Sequence, residues 1–258
     1  MRWLLPLIVM AGPVSVEAQE NKGEKLYRDF EKKLKSAKAY RVTFETKCPE
    51  RHMFLKGSLL IAGNKLKGIA EGQPDVYFLP KDAEMTFLSD GKVQARTFTS
   101  LGKEGVKGKP TRTSWEASPK LGTTVTGLLA RQGVYSLLTT FGPLVNSKLS
   151  TLHLEGLLDS VEVKNFNLVG TEKLGDKVAQ VVEFNLELKE KMEFPEFPKI
   201  SSKIWFDTVT KLPVKRIQEQ SDGGKVIYRR VDTYSRWEID PEIKEGTFTL
   251  RKEQTNNE

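Results

Sequence analysis

From Ile204 to Leu250 the chain alternates apolar and charged residues in runs separated by turn chemistry. Ile204-Trp-Phe-Asp207 leads into a turn, Thr208-Val-Thr-Lys-Leu-Pro213. A run from Val214 to Gln220 follows, then a second turn, Ser221-Asp-Gly-Gly224, and a run from Lys225 to Tyr234. A period of two marks strands, because successive side chains leave opposite faces of the backbone. Gly and Asp accept the backbone angles of tight hairpins. The pattern predicts an antiparallel meander with one buried face.

The same arrangement recurs upstream. Met53–Ile61 and Leu66–Ala70 are joined by Ala62-Gly-Asn-Lys65, and Met85–Leu88 and Val93–Phe98 flank Ser89-Asp-Gly-Lys92. Val161–Val169 and Val178–Leu188 flank Leu174-Gly-Asp-Lys177. Helical spacing occurs at Leu26, Phe30, Leu34 and Ala37, and strand alternation begins at once after it, with Tyr40, Val42, Phe44 and Thr46. A second helical stretch, Thr123–Phe141, shifts its apolar set at Gly133 and predicts two short helices ended by Gly142-Pro143. Residues 97–122 are rich in Gly, Lys, Pro and Ser and read as a mobile loop. Glu193-Phe-Pro-Glu-Phe-Pro198 reads as an extended connection, and 252–258 as a polar tail. The expected fold class is α+β: a curved antiparallel β-sheet, an incomplete β-barrel, covered by an N-terminal helix and short lid helices.

Residues 1–18 differ from the rest. Arg2 supplies a positive start, Trp3–Met10 an apolar run and Val16-Glu-Ala18 a small-x-small cleavage pattern. These features predict a secretory signal cleaved after Ala18, and hence a periplasmic or secreted protein. The apolar run falls short of the roughly 20 residues a membrane span needs. The remaining 19–258 fit a single domain. Removing Arg2 and Glu17 leaves the net charge at +7, so the basicity belongs to the folded part. It favours transient contact with an anionic membrane surface or with envelope proteins. Lys and Arg are interspersed with Glu and Asp, and no aromatic-basic pattern of an RNA-binding sheet occurs, so nucleic acid is not an expected partner. Cys48 is the single cysteine, which excludes an intrachain disulfide; it reads as an edge-strand residue.

The residues for catalysis are sparse. His52 and His153 are the only histidines, and neither stands at metal-ligand spacing from a second ligand. Gly102–Lys109 resembles a phosphate loop only superficially: Pro110 stands where a hydroxyl is required, and no buried strand feeds it. No glycine-serine-glycine nucleophile elbow occurs. Asp90 and Asp222 are explained by their turns. The expectation is a non-enzyme with no metal and no cofactor.

What remains is the interior. A curled sheet closed by helices encloses a space that is either packed or hollow. Tyr40, Val42, Phe44, Phe184, Ile204 and Phe206 would line it from strands. Phe30, Leu34, Leu128, Leu137 and Phe141 would line it from helices.

The order of parts resembles the LolA/LolB-like superfamily of periplasmic lipoprotein carriers and related lipid-binding proteins. The resemblance rests on the apparent export signal, the opening helix running into Tyr40-Arg-Val-Thr-Phe44, the Gly57-Ser-Leu-Leu-Ile61 strand and Phe87-Leu-Ser-Asp-Gly-Lys92. Towards the C-terminus it rests on Trp205-Phe-Asp, Thr210-Lys-Leu-Pro213, Asp222-Gly-Gly224 and Ile239-Asp-Pro-Glu-Ile243 with Phe248. It implies an incomplete barrel with helices as a lid over a hydrophobic cavity, and a lipid or lipoprotein acyl chain as ligand. Extra material lies around 97–122, 144–160 and 187–199, and no position matches the carriers' functional arginine. The expected function is therefore an exported binding protein that shelters an acyl chain; the alternative is an envelope interaction or sensor module on the same fold.

Overall fold

A computed structural model describes residues 21–73, 83–101, 106–133, 161–189 and 199–250. The chain opens with α1 (Lys22–Ser36), then β1 (Ala39–Cys48), a 3-10 turn at Pro49–Arg51, β2 (Met53–Ala62), β3 (Lys65–Gln73), β4 (Ala83–Ser89), β5 (Val93–Ser100) and β6 (Thr111–Glu116). Helix α2 (Leu121–Gln132) precedes β7 (Val161–Leu174), β8 (Lys177–Leu188), β9 (Lys199–Asp207), β10 (Pro213–Asp222) and β11 (Lys225–Ile239). Residues 1–20, the expected second half of the Thr123–Phe141 helical stretch, the Glu193–Pro198 connection and the 252–258 tail lie outside the described residues.

Among the described residues every strand pairing is antiparallel, and together they give one sheet of eleven strands in the order β6-β5-β4-β3-β2-β1-β11-β10-β9-β8-β7. The sheet does not close, since β6 and β7 remain its edges. The predicted hairpins all form. The β1–β11 pair joins the two meanders across the middle, with Tyr40 opposite Ile239. Register shifts break several ladders, including those between β1 and β11 and between β7 and β8. Such bulges sharpen the local right-handed twist. At the β1–β11 shift Thr43 faces Arg236 while Phe44 faces Tyr234, so Ser235 is the extra residue. It resets the parity of β11, and Tyr234, Trp237 and Ile239 all turn to the inner side, where their rings and side chains join the core.

Helix α1 begins where the Asn21 carboxamide oxygen accepts the amides of Gly23 and Glu24, at 2.9 and 3.2 Å. That satisfies two of the donors left open at a helix start. Its buried residues include Tyr27, Phe30, Glu31 and Leu34, at the spacing of a single face. Tyr27 packs its ring 4.9 Å from Phe184, and Phe30 packs 5.6 Å from Phe206 and 5.9 Å from Trp237. A buried aromatic of this kind contributes roughly 1.5–3 kcal/mol. The Asn21 amide also donates to Phe166 O at 2.7 Å, which fastens α1 to edge strand β7.

Two expectations need correction. The supposed loop at 97–122 holds the end of β5, all of β6 and the start of α2. Thr111–Glu116 lacks a regular apolar alternation, but an edge strand needs none; its backbone pairs with β5 through ladder bonds. Cys48 does not sit on an edge: β1 lies between β2 and β11, and the thiol is buried at its end, where burial raises its pKa. A second, smaller apolar group forms on the outer face, with Ala179, Val181 and Trp205 buried together.

The β9–β10 turn is built by Asp207, whose Oδ1 accepts the amides of Val209 and Thr210 and the Thr210 hydroxyl, at 3.0, 2.7 and 3.1 Å. These donors, the Thr210 amide foremost, hold the Asp207 carboxyl below the usual carboxylate range. A depressed folded pKa contributes stability above the unfolded value of about 3.9 and loses it as pH falls through the folded value. Asp207→Ala should therefore cost about 1–2 kcal/mol near neutrality. Urea denaturation at descending pH should show the gap between the two proteins closing below pH of about 4.

Candidate functional site

Helix α2, Leu-Gly-Thr-Thr-Val-Thr-Gly-Leu-Leu-Ala-Arg-Gln, has no continuous polar face, and nine of its twelve residues are buried. A helix of that kind belongs inside a protein. It touches both α1 and the sheet, and Leu121, Val125, Leu128, Leu129 and Ala130 join the same cluster as Phe30, Val42 and Phe206.

Each end of α2 is fixed by identifiable groups. At the start, Asn64 of the β2–β3 turn accepts the Gly122 amide at 3.1 Å and donates to Pro119 O. Gly122 is required there, since a Cβ would fall 1.8 Å from Gly63 O. One turn on, Thr126 donates its hydroxyl to Gly122 O at 2.7 Å, which leaves its oxygen to accept the Tyr40 hydroxyl at 2.9 Å. Burial pushes the Tyr40 pKa well up, so this hydroxyl stays a donor at any ordinary pH.

The far end is held by a buried polar group that the hairpin pattern does not announce. The last carbonyls of a helix have no partners within it. Arg216 of β10 donates Nη1 to Leu129 O at 3.2 Å and Nη2 to Ala130 O at 2.6 Å. Arg230 of β11 donates to Gln132 O and to Gln218 Oε1. Both guanidinium groups are almost fully buried. Asp232, 3.6 Å from Arg230 Nε, supplies the opposing charge and accepts the Thr46 hydroxyl and, at 3.4 Å, that of Tyr234. From α1, Glu31 lies 3.8 Å from Arg131 Nε, and Arg131 donates to Val161 O at 2.7 Å.

Among the described residues, the space where α1 ends and α2 begins is left open. A pocket of about 560 Å³ opens there. Leu34, Ala37, Ala39, Tyr40 and Ile61 form its apolar side. Gly63, Asn64, Gly122, Thr123 and Thr126 form the facing wall, and Lys35 and Lys38 stand at its rim. Its volume lies within the roughly 300–1,000 Å³ range of small-ligand sites. A second, polar depression of about 470 Å³ lies on the outer face and includes Asn167, Asn185, Ser201 and the Lys203–Glu183 pair.

The residues expected to line a cavity are brought together in one buried cluster. Phe30, Leu34, Tyr40, Val42, Phe44, Leu128, Phe184, Ile204 and Phe206 are all buried in one cluster. Leu34 and Tyr40 also border the open pocket. Leu137 and Phe141 lie outside the described residues. Sequence reasoning missed the Arg216, Arg230 and Asp232 group, and it missed Ile61, Lys35 and Lys38 at the pocket. The available signal was parity: Arg230, Asp232 and Tyr234 fall on one side of β11, so a buried Tyr234 takes both charges inward with it. Among the described residues no group of three or more His, Cys, Asp or Glu side chains could hold a metal, and no helix is long and apolar enough to cross a membrane.

Fold and pocket together define, among the described residues, a large open antiparallel sheet with two helices packed against it. Solved structures of similar shape include lipoprotein LppX of Mycobacterium tuberculosis, at 12% identity and a TM-score of 0.40 over 85% of this chain and 98% of that one. LprF from Mycobacterium bovis is similar at 12% identity and 0.44, over 86% and 94%. A putative outer membrane lipoprotein-sorting protein domain from Vibrio parahaemolyticus is similar at 12% identity and 0.33, over 88% and 96%. No family model and no curated protein matches the sequence.

The clamp on α2 makes two substitutions informative. Gly133 ends the helix at φ 78° and ψ −170°, a region essentially reserved for glycine. A Cβ there would lie 2.2 Å from Asp232 Oδ2. Gly133→Ala should cost about 1–3 kcal/mol from backbone strain alone. Arg216→Met, which leaves two buried carbonyls without donors, should cost about 2–4 kcal/mol. Hydrogen exchange should show the loss of protection starting in α2 in both variants, ahead of the β1–β2 ladder.

Proposed function

We propose that this chain is a non-enzymatic binding protein of the cell envelope that shelters a lipid or lipoprotein acyl chain between its sheet and its helices. The observation that carries this reading is the open pocket of about 560 Å³, whose apolar side is continuous with the main core through Leu34, Tyr40 and Ile61. An acyl chain entering there exchanges water for hydrocarbon at about 0.8 kcal/mol per methylene. Ten methylenes then contribute about 8 kcal/mol before the costs of ordering, enough for micromolar binding if those costs are small. The resemblance of the hairpin and turn motifs to the lipoprotein carriers supports the same ligand class.

Helix α2 is the movable wall in this reading. A longer chain passes beneath it, and Phe30, Val42, Phe44, Leu128, Phe184, Ile204 and Phe206 then line the enlarged space. Displacing α2 exposes the polar group at its C-terminal end, so opening is costly and ligand binding is what offsets it.

Delipidated full-length protein should bind a fluorescent acyl probe saturably. Thr123→Trp, which places a bulky ring at an exposed position on the pocket wall, should weaken that binding about tenfold while leaving the unfolding midpoint unchanged. Absence of saturable binding to the delipidated protein removes the proposal.

A further inference from the structure

The pocket is chemically lopsided. One side is hydrocarbon and aromatic, from Leu34, Tyr40 and Ile61; the rim carries Lys35 and Lys38; among the described residues that line it none is acidic, while Asp240 beside it accepts the Ala39 amide at 3.1 Å. Both lysines are exposed, and neither is engaged in an ion pair among the described residues. Some other surface lysines do have a carboxylate partner: Lys56 with Glu71, Lys107 with Glu84, Lys164 with Glu162, Lys203 with Glu183. Their placement is set by the fold. Lys35 lies in the last turn of α1, one position beyond buried Leu34, and Lys38 lies two residues before buried Tyr40. The apolar floor and the cationic rim therefore come from the same short stretch of chain, and neither can be moved without the other.

Resting on the reading of this pocket as the ligand site, we infer that it selects amphiphiles with an anionic head, carboxylate or phosphate, on a single apolar chain. The chain lies against Leu34, Tyr40 and Ile61, and the head stays at the mouth between Lys35 and Lys38, in contact with water. A head held at the mouth keeps its charge solvated, which avoids the cost of burying an ion. The lysine stems lie along apolar surface while their ammonium groups remain in solvent. A neutral head of the same size loses the attraction to the rim, and a cationic head is repelled by it.

The test is displacement of the acyl probe from delipidated full-length protein by four ligands of equal chain length: laurate, dodecyl phosphate, dodecanol and dodecylammonium. Inorganic phosphate alone serves as the head without a chain. The expected order is anionic first, neutral next and cationic last, with inorganic phosphate displacing nothing at the same concentration. The double variant Lys35→Gln with Lys38→Gln should weaken laurate and dodecyl phosphate roughly threefold to thirtyfold and leave dodecanol within about twofold. Added salt should narrow the anionic preference of the native protein. Equal displacement by all four ligands, or an anionic preference that survives the double variant, overturns this inference and leaves the binding function standing. Displacement by inorganic phosphate alone also overturns it. Failure of the probe itself to bind overturns the proposed function instead.

Discussion

An α-helix laid against the inside of a sheet brings its unpaired terminal carbonyls with it, and in this protein the rest of the interior is arranged around that fact. The last carbonyls of α2 meet the guanidinium groups of Arg216 and Arg230, which the sheet projects from two adjacent strands. Two buried cations need counter-charge and further partners; Asp232 and Gln218 supply them to Arg230, and Thr46 and Tyr234 in turn donate to the Asp232 carboxylate. A buried group of this kind is weak evidence of net stabilisation, because desolvation offsets much of the attraction. What it fixes is position: α2 ends at one place on the sheet, and glycine stands at 133 because a Cβ there would meet Asp232.

Fixing the end of α2 also fixes where the cover stops. With the C-terminal end held over β10 and β11, the helix runs to the β2–β3 turn, where Asn64 and the close approach of Gly122 to Gly63 set its start. Helix α1 is shorter than the sheet it crosses and gives way to β1 after Ser36. The pocket is the space between these two helix ends. It is therefore a consequence of helix length and anchoring, and its basic rim follows from which residues occupy the last turn of α1 and the link into β1.

Much of this architecture was legible beforehand. The turn sequences Ala62-Gly-Asn-Lys65, Ser89-Asp-Gly-Lys92 and Ser221-Asp-Gly-Gly224 each carry their own backbone requirement, and the strands on either side had only to alternate. Helix α1 showed itself through Leu26, Phe30 and Leu34. Strand β6 was invisible because Thr111–Glu116 lacks the apolar alternation that signals burial; an edge strand is recruited by its neighbour's free backbone groups. The reading of the C-terminal meander as having an apolar inner face also fell short, because Arg216, Gln218, Arg230 and Asp232 occupy that face. Local sequence records that charges alternate with apolar residues. It does not record which set a distant helix end will require.

The sequence by itself determined the hairpins and the opening helix, because each depends on residues a few positions apart acting through backbone angles and periodicity. Tertiary structure alone decided which face of β10 and β11 turns inward, where α2 is anchored and, among the described residues, where a pocket opens beside it. Those outcomes depend on groups far apart in the chain, Arg216 with Leu129 and Tyr40 with Thr126, whose hydrogen bonds form only once the sheet has brought them together.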